Sequence, residues 1–488
     1  MGMEAANMKP RIIMGRIRAV GSALASLSSK LSLKRSALDP SSETLARAGE
    51  IDIPLGVVRR ILSFVACTKD RTCSGEVRQI YNADEAKAQD TFLACSLVSR
   101  AWREVTLPFL YHTLGMYCDP RGEPAFRPFR GRIRQPQDFL GFLIEFPHIQ
   151  PCIRELRLSR PLGNVRPDDI YAAAVRHPSY DIIVMAEIVE RLPRLRVLHV
   201  QSVYFHYFYL PIRSALPRPL ERFEYIANIS PVQEMGPPFA ALLSLFSDVK
   251  VLYLYGLTFR PMESNTSSCR PDLRYETLHL IKSSGLDMFA RMFRSVLVSG
   301  GTETLSLSYW GENSSNSGAE KELWRAVSPS LLNVTLIFNV GPHRSTCSAP
   351  AFGRVCLTKR WIDPDIYKLD ITRCTRLKSM TLEVLLSSED THDEHTWLAI
   401  VQILSRLPAC PHLRQVAIRV VLHHWPSNTL AQLLAEPEGH IENIEDALLK
   451  LKEMKVDVSV AVRYTHSAQA DAVLTAAFAA LFPRVFDS

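Results

Sequence analysis

The sequence lacks the paired cysteines of a metal or redox site. Its ten cysteines stand at 67, 73, 95, 118, 152, 269, 347, 356, 374 and 410, and none forms C-x-x-C. A chain of 488 residues can bury a core without disulfide staples, so reduced thiols and a cytoplasmic or nuclear setting are expected. No apolar run approaches the roughly 18 residues of a membrane span, so no membrane partner is expected. The longest, AVLTAAFAALF at 472–482, reads as a packed terminal helix. Gly-rich phosphate loops, a G-x-S-x-G elbow and a Cys/His array are also missing. The nearest approach to a metal pair, His392-Asp393-Glu394-His395, has its histidines three apart in the polar stretch SSEDTHDEHTW. Helical zinc pairs want four, so this reads as a helix start with acidic capping. No catalytic residue, metal or cofactor is expected, and the chain is not expected to be an enzyme.

Acidic residues are scarce at the N-terminus. Residues 1–38 carry Lys9, Arg11, Arg16, Arg18, Lys30, Lys34 and Arg35 against Glu4, which supplies nearly all of the formal +7. The body is close to neutral and offers no field for wrapping nucleic acid, so no nucleic-acid partner is expected. Residues 1–50 read as a disordered basic tail. Four N-x-S/T triplets, beginning at Asn228, Asn265, Asn313 and Asn333, read as chance in a chain without a secretory signal.

Residues 51–115 read as a small helical module. IDIPLGVVRRILSFV places Val57, Val58, Ile61, Leu62 and Val65 at helical spacing behind Pro54, which the first turn tolerates because its N–H has no partner there. A polar loop follows. In LACSLVSRAWREVTLPFLYHTL, Leu93, Leu97, Val98, Trp102 and Val105 predict one broad stripe on a single helix, ended by Pro108. Pro108 then opens a further helix, PFLYHTL, with Phe109, Leu110, Tyr111 and Leu114 on one face.

The Ile-Pro-Leu start, Ile61-Leu62, the string CSLVSRAWRE and PFLYHTL together resemble an F-box, the helical motif that docks on a Skp-type adaptor. The first helix departs from the pattern: Ile53 stands where leucine is usual and Gly56 where an acid is usual. The long 66–90 loop is similar to insertions in fungal F-box proteins. The resemblance implies an adaptor-binding set of Pro54, Leu55, Val58, Ile61, Leu62, Leu97, Val98, Trp102 and Leu110. Each is equally well explained as core, and sequence cannot divide the two roles.

From 151 onward a pattern apolar-x-x-apolar-x-apolar recurs: IRELRL at 153, LRVLHV at 195, LERFEY at 220, VKVLYL at 249, YETLHL at 275, TETLSL at 302, LLNVTL at 331, LKSMTL at 377 and LRQVAI at 413. Spacings from 195 to 331 are 25, 29, 26, 27 and 29 residues, within or at the edge of the leucine-rich-repeat range. Amphipathic helices such as DIIVMAEIVERLP and LDMFARMFRSVLV precede many of these strands. The Asn or Cys that usually follows the strand is missing from most units, so no regular asparagine ladder is expected. The expected fold is α/β: a three-helix F-box module at 51–115, a linker and first helix at 116–150, and a curved leucine-rich-repeat-like array of parallel strands and helices over 151–488.

The x positions between core leucines should line the concave face: Arg157, His199, Glu224, Tyr253, His279, Ser306, Thr335, Thr381 and Ala417. The first five of these, with Tyr207 from the aromatic run YFHYFY at 204–209, form the candidate substrate face. The family resemblance implies a substrate-recognition subunit of a Skp–cullin–F-box ubiquitin ligase, with the Skp-type adaptor, a cullin scaffold and an unidentified protein substrate as partners. The alternative is a non-enzymatic repeat scaffold whose F-box no longer engages a ligase.

Overall fold

A computed structural model describes residues 54–67, 91–118, 124–127, 136–159, 179–201, 203–206, 217–227, 234–235, 237–259, 273–281, 283, 289, 301–309, 323–340, 369–387, 394–423, 438–464 and 468–486. The N-terminal tail, most of the 66–90 loop, Tyr207, His392 and the loops at 311–320 and 341–353 lie outside these residues. The chain divides into two compact units, Met1–His112 and Thr113–Ser488.

In the first unit, helix α1 (Leu55–Cys67) packs against helix α2 (Arg100–Leu110). A further helical segment, 91–96, precedes α2. The single helix expected from Leu93 onward is therefore two helices. Ser99 caps the second, its Oγ accepting a hydrogen bond from the Trp102 N–H at 3.2 Å. Such a cap satisfies an N–H that the first turn leaves without an intrahelical acceptor. The break falls at Leu97-Val98, which form the turn. Pro108 does not end the helix: α2 runs through it to Leu110. Nor does PFLYHTL form a further helix, because strand β1 (Thr113–Cys118) begins inside it.

The second unit is mixed α/β, built on one 12-stranded sheet. After β1 come β2 (Pro124–Arg127), β3 (Glu155–Ser159), β4 (Val197–Gln201), β5 (Arg218–Ile226) and β6 (Phe246–Tyr255). Then follow β7 (Arg274–Ile281), β8 (Thr304–Tyr309), β9 (Asn333–Val340), β10 (Ser379–Ser387), β11 (Gln415–His423) and β12 (Asp457–Tyr464). Strands β3 to β12 lie side by side in chain order, all parallel, and β1 pairs parallel with β3. Each of the nine repeated patterns forms one of the strands β3 to β11. The stretch 116–150 thus holds half of β1, all of β2 and helix α3 (Pro136–Glu145), so it is more than a linker and a helix.

The pattern's last two apolar positions line one buried face. Leu156, Leu198, Phe223, Leu252, Leu278, Leu305 and Val334 are neighbours in register and almost fully buried. Each leucine-sized side chain so buried contributes about 1.5–3 kcal/mol. Helices cover this face: α4 (Ile182–Arg191) buries Ile182, Met185, Ala186, Ile188 and Val189, and Asp181 caps it through Oδ1. Phe239 of helix α5 (Pro237–Leu243) meets the rings of Phe223 and Tyr225 at 6.4 and 5.7 Å. Phe205, from the YFHYFY run, packs beside Tyr180 and Tyr225 on the same side.

Successive repeats are joined by a backbone device where an asparagine ladder would stand. The carbonyls of Arg154, Arg196, Glu303, Leu332 and Lys378 each accept two consecutive N–H groups from the following repeat. Edges are closed at both ends of the sheet. Thr475 of helix α6 (Ala468–Ala479) uses its Oγ1 to accept from the Val462 N–H at 2.9 Å and to donate to the Val462 carbonyl at 3.2 Å, occupying backbone groups of edge strand β12. At the other end β2 is short, antiparallel and begins with Pro124, features that discourage further pairing.

One turn depends on glycine. Gly256 has φ +70°, and its N–H donates to the Ile281 carbonyl at 2.8 Å. A Cβ there would stand 2.5 Å from the Ala227 carbonyl oxygen, itself backbone. Gly256→Ala is expected to destabilise the second unit by roughly 1–3 kcal/mol, read as a lower urea midpoint with an unchanged m-value. In contrast, Gly56 of α1 has open space around it, so Gly56→Ala should be neutral or stabilising there.

Candidate functional site

Two surfaces carry unusual chemistry, one on each unit. On the first unit, burial divides the nine residues implied by the F-box resemblance. Val58, Leu62 and Leu110 are buried, with Phe92, Cys95 and Val105, as the core of the unit. Pro54 is exposed, and Trp102 is half-buried. Leu55, Ile61, Leu97 and Val98 face outward, Leu97 at 72% and Val98 at 57% exposure. Val57 and Leu93 are also about half exposed, although the implied set did not include them.

The helical period explains α1: Val58 and Leu62 are four apart on the inner face, Val57 and Ile61 four apart on the outer one. The helix break explains the rest, because a two-residue turn between helices has no neighbour to bury it. Arg103 Nε donates to the Ser96 carbonyl across this turn at 3.2 Å, and Ser96 Oγ donates to the Leu93 carbonyl at 2.7 Å. The turn is therefore held in shape while its two apolar side chains project. Arg59, Arg60, Arg100 and Arg103 are exposed on the same unit, and Arg100 pairs with Glu104 at 3.3 Å.

On the second unit, the positions between core leucines fall into one unbroken register. Arg157, His199, Glu224, Tyr253, His279, Ser306, Thr335, Thr381 and Ala417 are each the direct strand partner of the next. They occupy the face opposite the leucines, as period-two alternation requires. Five of the six candidate substrate-face residues thus stand side by side on β3 to β7.

These five do not act alone. Glu155 and Arg222, two positions earlier on β3 and β5, join them in an ion-pair chain. Glu155 Oε1 meets Arg157 Nε at 2.7 Å and His199 Nε2 at 3.0 Å, the second an ion-pair distance without hydrogen-bond alignment. Thr113 Oγ1 donates to Glu155 Oε2 at 3.2 Å. His199 Nδ1 pairs with Glu224 Oε2, and Arg222 Nη2 with Glu224 Oε1. Glu155 and Arg222 escape a pattern search that reads one x position per repeat. The usable signal is the i−2 neighbour on the same face.

Burial and pairing work against each other on these groups. Burial pushes the Glu155 carboxyl up, but His199 and Arg157 more than reverse this and hold it well below the usual carboxylate range. Burial lowers His199, yet the two carboxylates raise it above an ordinary histidine. His279, half-buried near the Arg222 guanidinium, is lowered to about 4 and stays neutral. Tyr253 is pushed up to about 12, chiefly by burial. Its ring lies 5.5 Å from that of His279, tilted by 50°.

Stability should follow these shifts. A native His279 that resists protonation lets the unfolded chain take up a proton first, so stability falls as pH drops from about 6.5 towards 4. His279→Asn should lose less stability than the wild type over that window, by a difference on the order of 2 kcal/mol in urea titrations at pH 7 and pH 4.5. His199 acts oppositely. Its contribution is complete below the unfolded value and is lost as pH rises through the raised folded value.

Farther along the sheet the open face turns to hydroxyls and amides. Asn333 Nδ2 donates to Thr304 Oγ1 at 3.2 Å, while its Oδ1 accepts from Ser379 Oγ at 2.7 Å, tying β8, β9 and β10 together. The Asn333 triplet is therefore part of the sheet. Among the described residues no three His, Cys, Asp or Glu side chains are grouped to hold a metal ion, and no helix is long and apolar enough to cross a membrane. No family model matches this chain, and no curated protein matches it.

Proposed function

We propose that this chain is the substrate-receptor subunit of a Skp–cullin–F-box ubiquitin ligase. The first unit would act as an F-box and dock on a Skp-type adaptor, linking to a cullin. The second, read as a leucine-rich-repeat-like array, would hold a protein substrate on its open strand face. Ubiquitin transfer chemistry would belong to other subunits, and this chain would supply proximity and orientation.

The observation that carries the reading is the outward set Leu55, Val57, Ile61, Leu93, Leu97 and Val98 on the short described helices of the first unit. Helices this short rarely expose so many large apolar side chains together unless a partner covers them. The adaptor surface is accordingly assigned to these residues with Pro54. Val58, Leu62 and Leu110 are assigned to holding the helices together.

Co-purification of the full chain with a Skp-type adaptor tests the reading. Capture of the adaptor supports it. A folded chain that fails to capture the adaptor overturns it in favour of a repeat scaffold without ligase engagement.

A further inference from the structure

The open face carries a second chemical message, in what its ion pairs leave unspent. Both carboxylates of the cluster already hold cations. Glu155 is engaged by Arg157, His199 and Thr113, and Glu224 by His199 and Arg222 through separate oxygens. Arg222 uses Nη2 on Glu224, while its Nε is enclosed without a hydrogen-bond partner among the described residues. Its side chain is still 42% exposed, so it is reachable from solvent. Arg157 and Arg222 balance the two acids, and His199, raised by the carboxylates on either side of it, adds positive charge that points toward a negatively charged partner group.

Beside Arg222 lies a shelf. By strand register Arg222 pairs with Val251 and Glu224 with Tyr253, while Val251 and Tyr253 pair in turn with Thr277 and His279. Tyr255 follows Tyr253 on the same face and pairs with Ile281. Because His279 is neutral, the shelf is apolar and aromatic rather than cationic. Tyrosine and arginine side by side are the residues that dominate binding energy at protein interfaces.

We propose that Arg222, Tyr253 and His279 form a docking site for an acidic peptide segment, in which an Asp or Glu carboxylate meets Arg222 and an adjacent apolar or aromatic side chain lies on the Tyr253–His279 shelf. This rests on the receptor reading above and names the class of substrate segment. A basic segment is disfavoured because both carboxylates already hold cations. An uncharged one would cover the exposed Arg222 side chain without offering its charge an acceptor.

The test is selection of a random heptapeptide display library on the immobilised full chain, with Arg222→Gln and Tyr253→Ala in parallel and melting curves on all three. The expected wild-type consensus is an Asp or Glu next to a large apolar residue. Folded Arg222→Gln should bind the selected peptide on the order of 10- to 100-fold more weakly, the loss of one charge-assisted hydrogen bond. Folded Tyr253→Ala, which leaves every charge in place, should relax the apolar position of the consensus while retaining the acid. A basic or uncharged consensus, no consensus, or an acidic consensus kept unchanged in both variants overturns the proposal. No adaptor takes part, so loss of the peptide result with adaptor capture intact removes this site and leaves the receptor reading standing.

Discussion

Replacing Leu97 and Val98 together by aspartate should abolish co-purification with a Skp-type adaptor, weakening binding by more than about 100-fold, while the melting temperature hardly moves. The physical reason lies in what each side chain touches. Both residues project from the turn between the 91–96 segment and α2, at 72% and 57% exposure, so a carboxylate there stays hydrated in the free protein. In a docked complex the same carboxylates lose their water against an apolar partner, which costs several kcal/mol. Leu62 is the control. At 1% exposure it belongs to the core, and Leu62→Ala should cost about 2–5 kcal/mol of stability and lose binding only along with the fold. Calorimetric titration with the adaptor and circular-dichroism melting of both variants separate the outcomes. An aspartate pair that binds as tightly as wild type places the docking surface elsewhere.

Glu224→Ala carries the largest expected stability loss outside the leucine core, about 3 kcal/mol, measured as a lower urea midpoint at pH 7. Its carboxylate is 9% exposed and is shared between His199 and Arg222. Removing it strips a partner from two cations at once, and an uncompensated buried charge is what makes a broken ion pair costly. The loss sits at the lower end of the buried range because Arg222 can turn toward water. His199, retaining Glu155 alone, should then titrate lower, since one of its two raising interactions is gone. Chemical-shift titration of the His199 ring carbons in wild type and variant checks this second consequence. An unchanged titration midpoint would show that Glu224 does not set the charge of the cluster.

Both predictions turn on positions that sequence and structure determined unequally. The repeat was legible because burial imposes period: LRVLHV or VKVLYL must place its leucines inward, and every such pattern became a parallel strand. The same period put Arg157, His199, Glu224, Tyr253 and His279 in one row before any pairing was known. Two parallel strands escaped, besides the antiparallel Pro124–Arg127. Thr113–Cys118 fits the pattern as YHTLGM, but the motif-like PFLYHTL drew it into the helical module. In Asp457–Tyr464 the first apolar position is displaced by one, from Lys455, at φ 64°, to Val456. Local pattern cannot see such a turn.

What only the tertiary structure decided is the division of labour among apolar and charged residues of one composition. Val57 and Val58 are adjacent and identical, yet one faces solvent and the other the core, because α2 packs against a single side of α1. Leu97 and Val98 looked like stripe residues until Ser99 capped a new helix and left them in a turn. The ion-pair chain needed β3, β4 and β5 in register, since Glu155, His199 and Glu224 are brought together by pairing across repeats. Periodicity is a property of the chain alone and survives without partners. Which face meets which neighbour is a property of packing, and no single segment contains it.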